Sequence, residues 1–195
     1  MEWKDSCEQV EQTMHIWLLA GYAGSGKTTA GEMLHTLLPQ SCMTAFAKEV
    51  KNQVAEVYKL PRGSMDTQEG KATFVEIEQK TVRQLLVEHA AWMKQVYDSP
   101  GIWAEYVCRE IKAQPDIEHW ILHDWRYIAE LRTLQTQFPN ARMYTLRIQS
   151  SRTQLSNCPS EHELDSFQVQ HTVSNDGSLA ELRMTLLQLI HTSHR

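Results

Sequence analysis

A glycine-rich segment near the start of the chain places the strongest constraint on its fold. Residues 21–29 read GYAGSGKTT and match the pattern Gly-x4-Gly-Lys-Thr at Gly21, Gly26, Lys27 and Thr28. In this pattern the glycines let the backbone wrap around a polyphosphate, the lysine supplies a positive charge, and the threonine hydroxyl can bind Mg²⁺. The segment needs a strand before it and a helix after it, because its N–H groups must converge on the phosphates.

The flanking sequence provides this context. Residues 15–20 (HIWLLA) form a short apolar run that is typical of a buried strand in a parallel sheet. After the glycines, apolar side chains at helical spacing predict an amphipathic helix that Pro39 ends. We therefore predict a site for ATP and Mg²⁺. Its predicted residues are Gly21, Ala23, Gly24, Ser25, Gly26, Lys27, Thr28 and Thr29, with Thr28 as a metal ligand.

The rest of the chain alternates strand and helix patterns. Four more strand candidates lie at residues 42–46, 119–123, 141–148 and 171–173. Strands that alternate with helices predict an α/β fold with a parallel sheet. The helical patterns over about residues 48–112 are too long for a plain crossover between two strands, so we interpret them as an acceptor-binding region.

Composition limits the class of protein. A chain of 195 residues with 42% hydrophobic content can bury one substantial core, so we expect a single domain over residues 1–195 with a polar lead-in at 1–14. The net charge of −5 gives no general attraction to nucleic acid or to a membrane. The four cysteines form no C-x-x-C pair, and the longest apolar run is too short to span a bilayer. We expect a cytoplasmic protein without a membrane partner.

Two residues after the third predicted strand suggest further chemistry. Asp124 ends an apolar run, where a carboxylate can reach the water shell of Mg²⁺, although such an aspartate can also be a helix cap. Arg126 lies where parallel sheets bind ligands, and its guanidinium suits a phosphate. The alternative for Arg126 is an ion pair with Glu130 at helical spacing.

The order of eight segments resembles the deoxynucleoside monophosphate kinases of phages and large DNA viruses. This family lies within the nucleoside monophosphate kinase-like P-loop kinases, which include animal-type phosphomevalonate kinase. The resemblance covers most of residues 15–190, and D-x-R together with ELDSF and NDGSLAEL carries it more specifically than the glycine-rich loop. The segments are GYAGSGKTT, FAKEVK, TVRQLLVEH, GIWAEYV, HDWRYIAEL, LRIQSSR, SEHELDSF and TVSNDGSLAEL.

The resemblance implies a P-loop NTPase fold: a five-stranded parallel sheet flanked by helices, with a helical acceptor-binding insertion and a lid over about residues 150–166. It implies ATP- and Mg²⁺-dependent phosphorylation of a deoxynucleoside monophosphate to the diphosphate in a virus-infected cell. By position, it implies an acceptor site of Lys51, Arg83 and Arg126. It implies catalytic roles for Lys27, Asp124, Arg126 and Arg152, with Asp124 near the metal, Arg147 flanking the lid, and Asn175 and Asp176 near the adenine.

The chain departs from the family pattern in two places. The lid offers only Arg152 where the family usually has a second arginine shortly afterwards. His123 and Trp125, on either side of Asp124, are bulkier than the family's usual residues. These two side chains either reshape the acceptor pocket or, for His123, form part of the core.

Three functions remain open from the sequence. The first is transfer to a deoxynucleoside monophosphate, which the three cations Lys51, Arg83 and Arg126 favour because an uncharged alcohol does not need them. The second is a kinase of hydroxymethylpyrimidine in phage DNA, or of another small phosphorylated metabolite; only the DNA version has a nucleic-acid partner, and the net charge does not favour it. The third is a module that binds ATP without transfer. The base of the acceptor would depend on aromatic side chains such as Trp92, Trp103 and Trp125.

Overall fold

The computed structural model describes residues 13–153 and 159–193. Most of the predicted polar lead-in and residues 154–158 of the predicted lid therefore lie outside the described residues. In chain order the elements are β1 (His15–Ala20), α1 (Lys27–Leu37), β2 (Ser41–Thr44), α2 (Ala47–Val57), a 3₁₀ turn (Arg62–Met65), α3 (Gln68–Ala72), β3 (Phe74–Val75), β4 (Lys80–Thr81), α4 (Val82–Val96), α5 (Ile102–Lys112), β5 (His119–Leu122), α6 (Ile128–Gln137), β6 (Arg142–Gln149), α7 (Pro159–His162), β7 (His171–Ser174) and α8 (Leu179–Ser193).

Five of these strands form one sheet in the order β2-β5-β1-β6-β7, and every neighbouring pair is parallel. The α/β class and the five-stranded parallel sheet predicted from the sequence are confirmed. The observed strands begin and end within two residues of the predicted ones. Strand β1 is central, and all six of its residues are buried, as its unbroken apolar run predicts.

The side chains of β1 alternate between two hydrophobic cores. Ile16 and Leu18 pack in a core with residues of α2, α4, α5 and α6, whereas Trp17 and Leu19 pack with residues of α1 and α8 on the opposite face. This alternation follows from the two-residue period of a strand. Helices thus cover both faces, and the sheet lies between two helical layers.

The region predicted to be helical over about residues 48–112 contains α2, the 3₁₀ turn, α3, α4 and α5. Helix α4 starts with a capping box in which Thr81 and Gln84 satisfy each other's backbone N–H groups. The sequence patterns did not predict the short antiparallel hairpin of β3 and β4. Two-residue strands are too short to show a periodic pattern.

The parallel topology brings several polar loops together at one edge of the sheet, where the strands end. Gly21 follows β1, Asp124 and Arg126 follow β5, residues 150–152 follow β6, and Asn175 follows β7. This is the edge at which open parallel sheets bind ligands. Among the described residues, no helix has both the length and the apolar character needed to cross a membrane.

Candidate active site

The loop after β1 is shaped by glycines in unusual backbone conformations. Gly21, Gly24 and Gly26 have φ values of 140°, 79° and 95°. A Cβ atom on Gly21 would overlap the carbonyl oxygen of Ile148, and one on Gly26 would overlap the side-chain amide of Asn175. Only glycine fits at these two positions, for reasons of space as well as conformation.

Lys27 lies at the first position of α1 and points back over this loop. Its Nζ donates hydrogen bonds to the carbonyl oxygens of Gly21 (2.7 Å) and Tyr22 (2.8 Å). Burial, and then the positive charge of Arg126, lower the pKa of Lys27 to about 8; the carboxylates of Glu161 and Asp124 partly oppose this shift. The ammonium of Lys27 has thus lost much of its contact with water. A phosphate bound at the loop would stabilise its charged form.

The loop offers hydrogen-bond donors that fit a polyphosphate. Gly26 is the N-cap of α1, and within the described ranges no side chain caps this helix end. Its first N–H groups and the positive end of the helix dipole therefore favour an anion. In the same part of the chain, the buried hydroxyl of Ser25 has no hydrogen-bond partner. The hydroxyl-bearing Thr28, at the start of α1, is exposed.

Asn175, which follows β7, forms a hydrogen bond to the glycine-rich loop. Its side-chain amide donates to the carbonyl oxygen of Ser25 (2.9 Å), and its backbone N–H donates to that of Gln149 (2.7 Å). The next residue, Asp176, accepts hydrogen bonds from the hydroxyls of Ser150 and Ser151 and from the N–H of Ser151. Asn175 thus fixes the position of the glycine-rich loop, and its contact with adenine stays a prediction.

The structure places Asp124 as a cap of helix α2. One carboxylate oxygen accepts the N–H of Phe46 (2.8 Å) and the other accepts the N–H of Ala47 (2.9 Å). Asp124 is therefore a helix cap, as the alternative from the sequence had it. Its carboxylate also lies near enough to Lys27 to raise the pKa of that ammonium. Each oxygen retains a lone pair, so a role in the Mg²⁺ shell stays a prediction. Among the described residues, no group of three or more His, Cys, Asp or Glu side chains could hold a metal ion.

Arg126 does not form the side-chain ion pair with Glu130 that helical spacing suggested. Oε2 of Glu130 instead accepts the backbone N–H groups of Arg126 (3.1 Å) and Tyr127 (3.0 Å), which fixes the turn before α6. Burial raises the pKa of Glu130. The guanidinium of Arg126 points toward the lid, where it donates to Ser160 and Glu161, both at 3.3 Å.

Arg147 and Arg152, near the start of the predicted lid, also form hydrogen bonds within the protein. Arg147 donates to the carbonyl oxygens of Leu164 and Phe167, and so attaches the second half of the lid to β6. Arg152 donates to the carbonyl oxygen of Asn175 and, through Nε, to the hydroxyl of Ser150 at 3.3 Å. In this state Arg152 joins the loops after β6 and β7, and its contact with a transferring phosphoryl group stays a prediction.

The predicted acceptor cations lie on neighbouring elements. Lys51 of α2 forms an ion pair with Asp66 at 2.9 Å, and Arg83 of α4 donates to the amide oxygen of Gln68 at 2.6 Å. A fourth cation that we did not predict, Lys71 of α3, joins them: burial, then Lys51 and Arg83, and more weakly Arg126, lower the pKa of Lys71. No sequence pattern marks Lys71, because α3 is only five residues long.

A cavity of about 560 Å³ lies at this edge of the sheet. Its lining includes the glycine-rich loop, the ends of β6 and β7, Arg126, and the lid residues Ser160 and Glu161. The volume is in the range of small-molecule sites. The cavity thus connects the predicted nucleotide site to the residue predicted to hold the acceptor.

The bulky residues beside Asp124 have structural partners. His123 is partly exposed, and its Nδ1 donates to the carbonyl oxygen of Thr44 at 3.0 Å, which joins the end of β5 to β2. Trp125 is buried, donates to the carbonyl oxygen of Tyr127, and packs edge-on against Phe167, which follows the predicted lid. Trp103 is also buried, whereas Trp92 is 55% exposed.

Comparison with known proteins identifies the fold. No family model matches the sequence, and no curated protein matches it in sequence. The structure is similar to that of thymidylate kinase from Candida albicans, with a TM-score of 0.51 and 11% identity over 94% of each chain. APS kinase from Mycobacterium tuberculosis has a TM-score of 0.46 and 10% identity, over 92% of this chain and 98% of that chain. Dephospho-CoA kinase from Campylobacter jejuni has a TM-score of 0.45 and 14% identity, over 92% and 97%.

We base the fold on the thymidylate kinase likeness, the one of these three with a TM-score above 0.5. In this chain the glycine-rich loop lies between β1 and α1, and Lys27 is the first residue of that helix. The chain has the fold of the P-loop kinases, as the sequence resemblance implied.

The lowered pKa of Lys27 predicts a pH-dependent affinity for ADP. Bound phosphates stabilise the ammonium and raise its pKa, so binding takes up a proton once the free protein has lost it above about pH 8. The dissociation constant for ADP should rise about tenfold between pH 7 and pH 9. Isothermal titration calorimetry at several pH values measures this change.

The matched control is Lys27→Arg, because arginine keeps its charge across this range. Its affinity for ADP is expected to be lower overall but to change little between pH 7 and pH 9. An equal pH dependence in the two proteins would assign the effect to another group.

The position of Asp124 predicts two effects of Asp124→Asn. The amide can accept only one of the two N–H groups at the start of α2, so the free energy of unfolding should fall by about 1–2 kcal/mol. If the carboxylate also organises Mg²⁺, the metal concentration needed for half-maximal turnover should rise. Asp116→Asn, at an exposed position, is the control. A loss of stability with unchanged Mg²⁺ dependence would leave Asp124 as a cap alone.

Proposed function

We propose that this protein transfers the γ-phosphoryl group of ATP to a small acceptor that already carries a phosphate, and that the acceptor is a deoxynucleoside monophosphate. The P-loop kinase fold and the glycine-rich loop support ATP as the donor. The sequence resemblance to phage and viral deoxynucleoside monophosphate kinases supports the choice of acceptor, the role in deoxynucleotide metabolism and the viral type.

The position of Arg126 carries the proposal. Its guanidinium contributes to lowering the pKa of Lys27, at the donor loop, and also that of Lys71, in the cluster with Lys51 and Arg83. One arginine is thus electrostatically close both to the site for the donor phosphates and to a separate group of cations. A phosphoryl group that moves between two anions needs a positive charge between them.

The residues divide the work between the two anions. Lys27 and the N–H groups at the start of α1 would hold the donor phosphates, and Thr28 would hold Mg²⁺, which supplies charge neutralisation when it is bound. Arg126 would bind the acceptor phosphate and the group in transfer. Lys51, Lys71 and Arg83 would attract and orient the acceptor phosphate.

The cluster of cations favours a phosphorylated acceptor over an uncharged alcohol. Burial and repulsion from Lys51 and Arg83 disfavour the charged form of Lys71, and Asp66 only partly opposes this. A monophosphate would stabilise that charged form and, being an anionic nucleophile near neutral pH, needs no general base.

The proposal predicts that Arg126→Lys weakens acceptor binding specifically. Lysine keeps the charge but loses the bidentate geometry, so the KM for the acceptor should rise on the order of tenfold while the KM for ATP changes little. Arg126→Ala should cost about 2–5 kcal/mol in kcat/KM for a well-desolvated phosphate. Steady-state ADP formation, measured with each common deoxynucleoside monophosphate, tests this.

The control is Arg132→Lys, an exposed arginine on α6. Phosphomevalonate and hydroxymethyluracil-containing DNA belong in the same assay, because an acceptor within DNA would show a loss with strong salt dependence instead. Wild-type KM values for every deoxynucleoside monophosphate in Arg126→Lys would contradict the proposal. Nucleotide binding without any acceptor-dependent ADP formation would favour a module that binds ATP without transfer.

A further inference from the structure

Glu161 of the lid makes contacts that a phosphate would be expected to make. Its Oε2 accepts the backbone N–H of Ala23, in the glycine-rich loop, at 3.3 Å. Its Oε1 accepts a hydrogen bond from Nη1 of Arg126, also at 3.3 Å. Its negative charge raises the pKa of Lys27, so it lies within electrostatic reach of that ammonium. A loop N–H, an arginine and a lysine together are the usual ligands of a phosphate.

The lid holds this carboxylate in place. Leu164 is buried in the core that contains Ile16 and Leu18 of β1. Arg147 donates hydrogen bonds to the carbonyl oxygens of Leu164 and Phe167. On the other side, the hydroxyl of Tyr22 in the glycine-rich loop donates to Asp165 at 2.8 Å. The side chain of Glu161 is only 8% exposed.

A buried carboxylate at this position conflicts with a polyphosphate. Phosphate oxygens bound to the loop would lie close to the Glu161 carboxylate, and two like charges at such a distance repel each other strongly where solvent is excluded. Both anions would also need the same donors, the N–H of Ala23 and the guanidinium of Arg126. The loop can therefore hold Glu161 or the outer phosphates of a nucleotide, but not both.

We propose that Glu161 is an autoinhibitory phosphate mimic: it occupies the outer phosphate position of the loop in the nucleotide-free protein and must be displaced before a nucleoside polyphosphate binds. The proposal rests on the proposed function only in taking the glycine-rich loop as the nucleotide site. It does not depend on the identity of the acceptor. Displacement frees Arg126 at the same moment, so donor binding makes the guanidinium available to the acceptor.

The test compares anion binding by the wild-type chain with binding by Glu161→Gln and Glu161→Ala. Calorimetry with ADP and with inorganic tripolyphosphate, without an acceptor, measures occupancy of the loop directly. We expect both variants to bind tripolyphosphate more tightly than the wild type, on the order of tenfold, which corresponds to a loop that Glu161 occupies about nine-tenths of the time. Glu161→Ala should show the larger gain, because glutamine can still accept the N–H of Ala23.

Two controls separate this effect from a general change in charge. Glu163→Gln removes the same charge from an exposed position in the same segment and should leave the affinity near that of the wild type. Adenosine, which carries no phosphate, should bind the wild type and the Glu161 variants equally. Thermal unfolding of each variant confirms that it is folded, and the conservative Glu161→Gln keeps the shape of the side chain.

Several outcomes would overturn the inference. Equal or weaker tripolyphosphate binding in both Glu161 variants would show that Glu161 does not compete with phosphate, and would leave the proposed function intact. A higher KM for the acceptor in Glu161→Gln, without any gain in ADP affinity, would make Glu161 a residue that positions Arg126 instead. Failure of every protein to bind ADP or tripolyphosphate would contradict both the inference and the assignment of the loop.

Discussion

Repulsion between positive charges that the fold gathers at one edge of the sheet explains much of this structure. The parallel strands bring Lys27 and Arg126 to that edge, and the helical insertion adds Lys51, Lys71 and Arg83. Burial first, and then the charges of neighbouring cations, lower the pKa values of Lys27 and Lys71. Such a concentration of charge is a common property of sites built for phosphates, and it is reduced when phosphates bind.

Carboxylates near these cations offset part of the repulsion. Asp66 pairs with Lys51, Asp124 lies near Lys27 while it caps α2, and Glu161 reaches from the lid to Arg126. These three carboxylates differ in how easily an incoming anion could displace them from the cations. Asp124 is fixed by two backbone hydrogen bonds, whereas Glu161 is carried by a short lid helix. An anion that enters the site would therefore be expected to displace Glu161 rather than Asp124.

The sequence predicted the sheet well because buried parallel strands are short, uninterrupted apolar runs. The spacing of Ser178 and Glu181 is also typical of a capping box, and at the start of α8 these two residues bond to each other's backbone N–H groups. The sequence was less successful with individual side chains at the site. Arg126 and Glu130 are four residues apart, but α6 begins only at Ile128, so the rule for helical ion pairs does not apply to Arg126.

Contacts between distant parts of the chain could not be predicted from local patterns. Glu161 reaches Ala23 over 138 residues of sequence, and no periodicity or motif within the lid marks it among its acidic neighbours. The same holds for Asn175, whose contact with Ser25 depends on the order of β1, β6 and β7 in the sheet. The glycine-rich loop was predictable for the opposite reason, since its function needs a fixed local order of residues.

A crystal structure with ADP, Mg²⁺ and a deoxynucleoside monophosphate would test the central claim most directly. The claim is that Arg126 lies between a donor site at the glycine-rich loop and a separate acceptor site. The expected result is the phosphate of the monophosphate within hydrogen-bond distance of the Arg126 guanidinium, with the β-phosphate of ADP on Lys27. A monophosphate bound away from Arg126, with that guanidinium still paired with Glu161, would contradict the account.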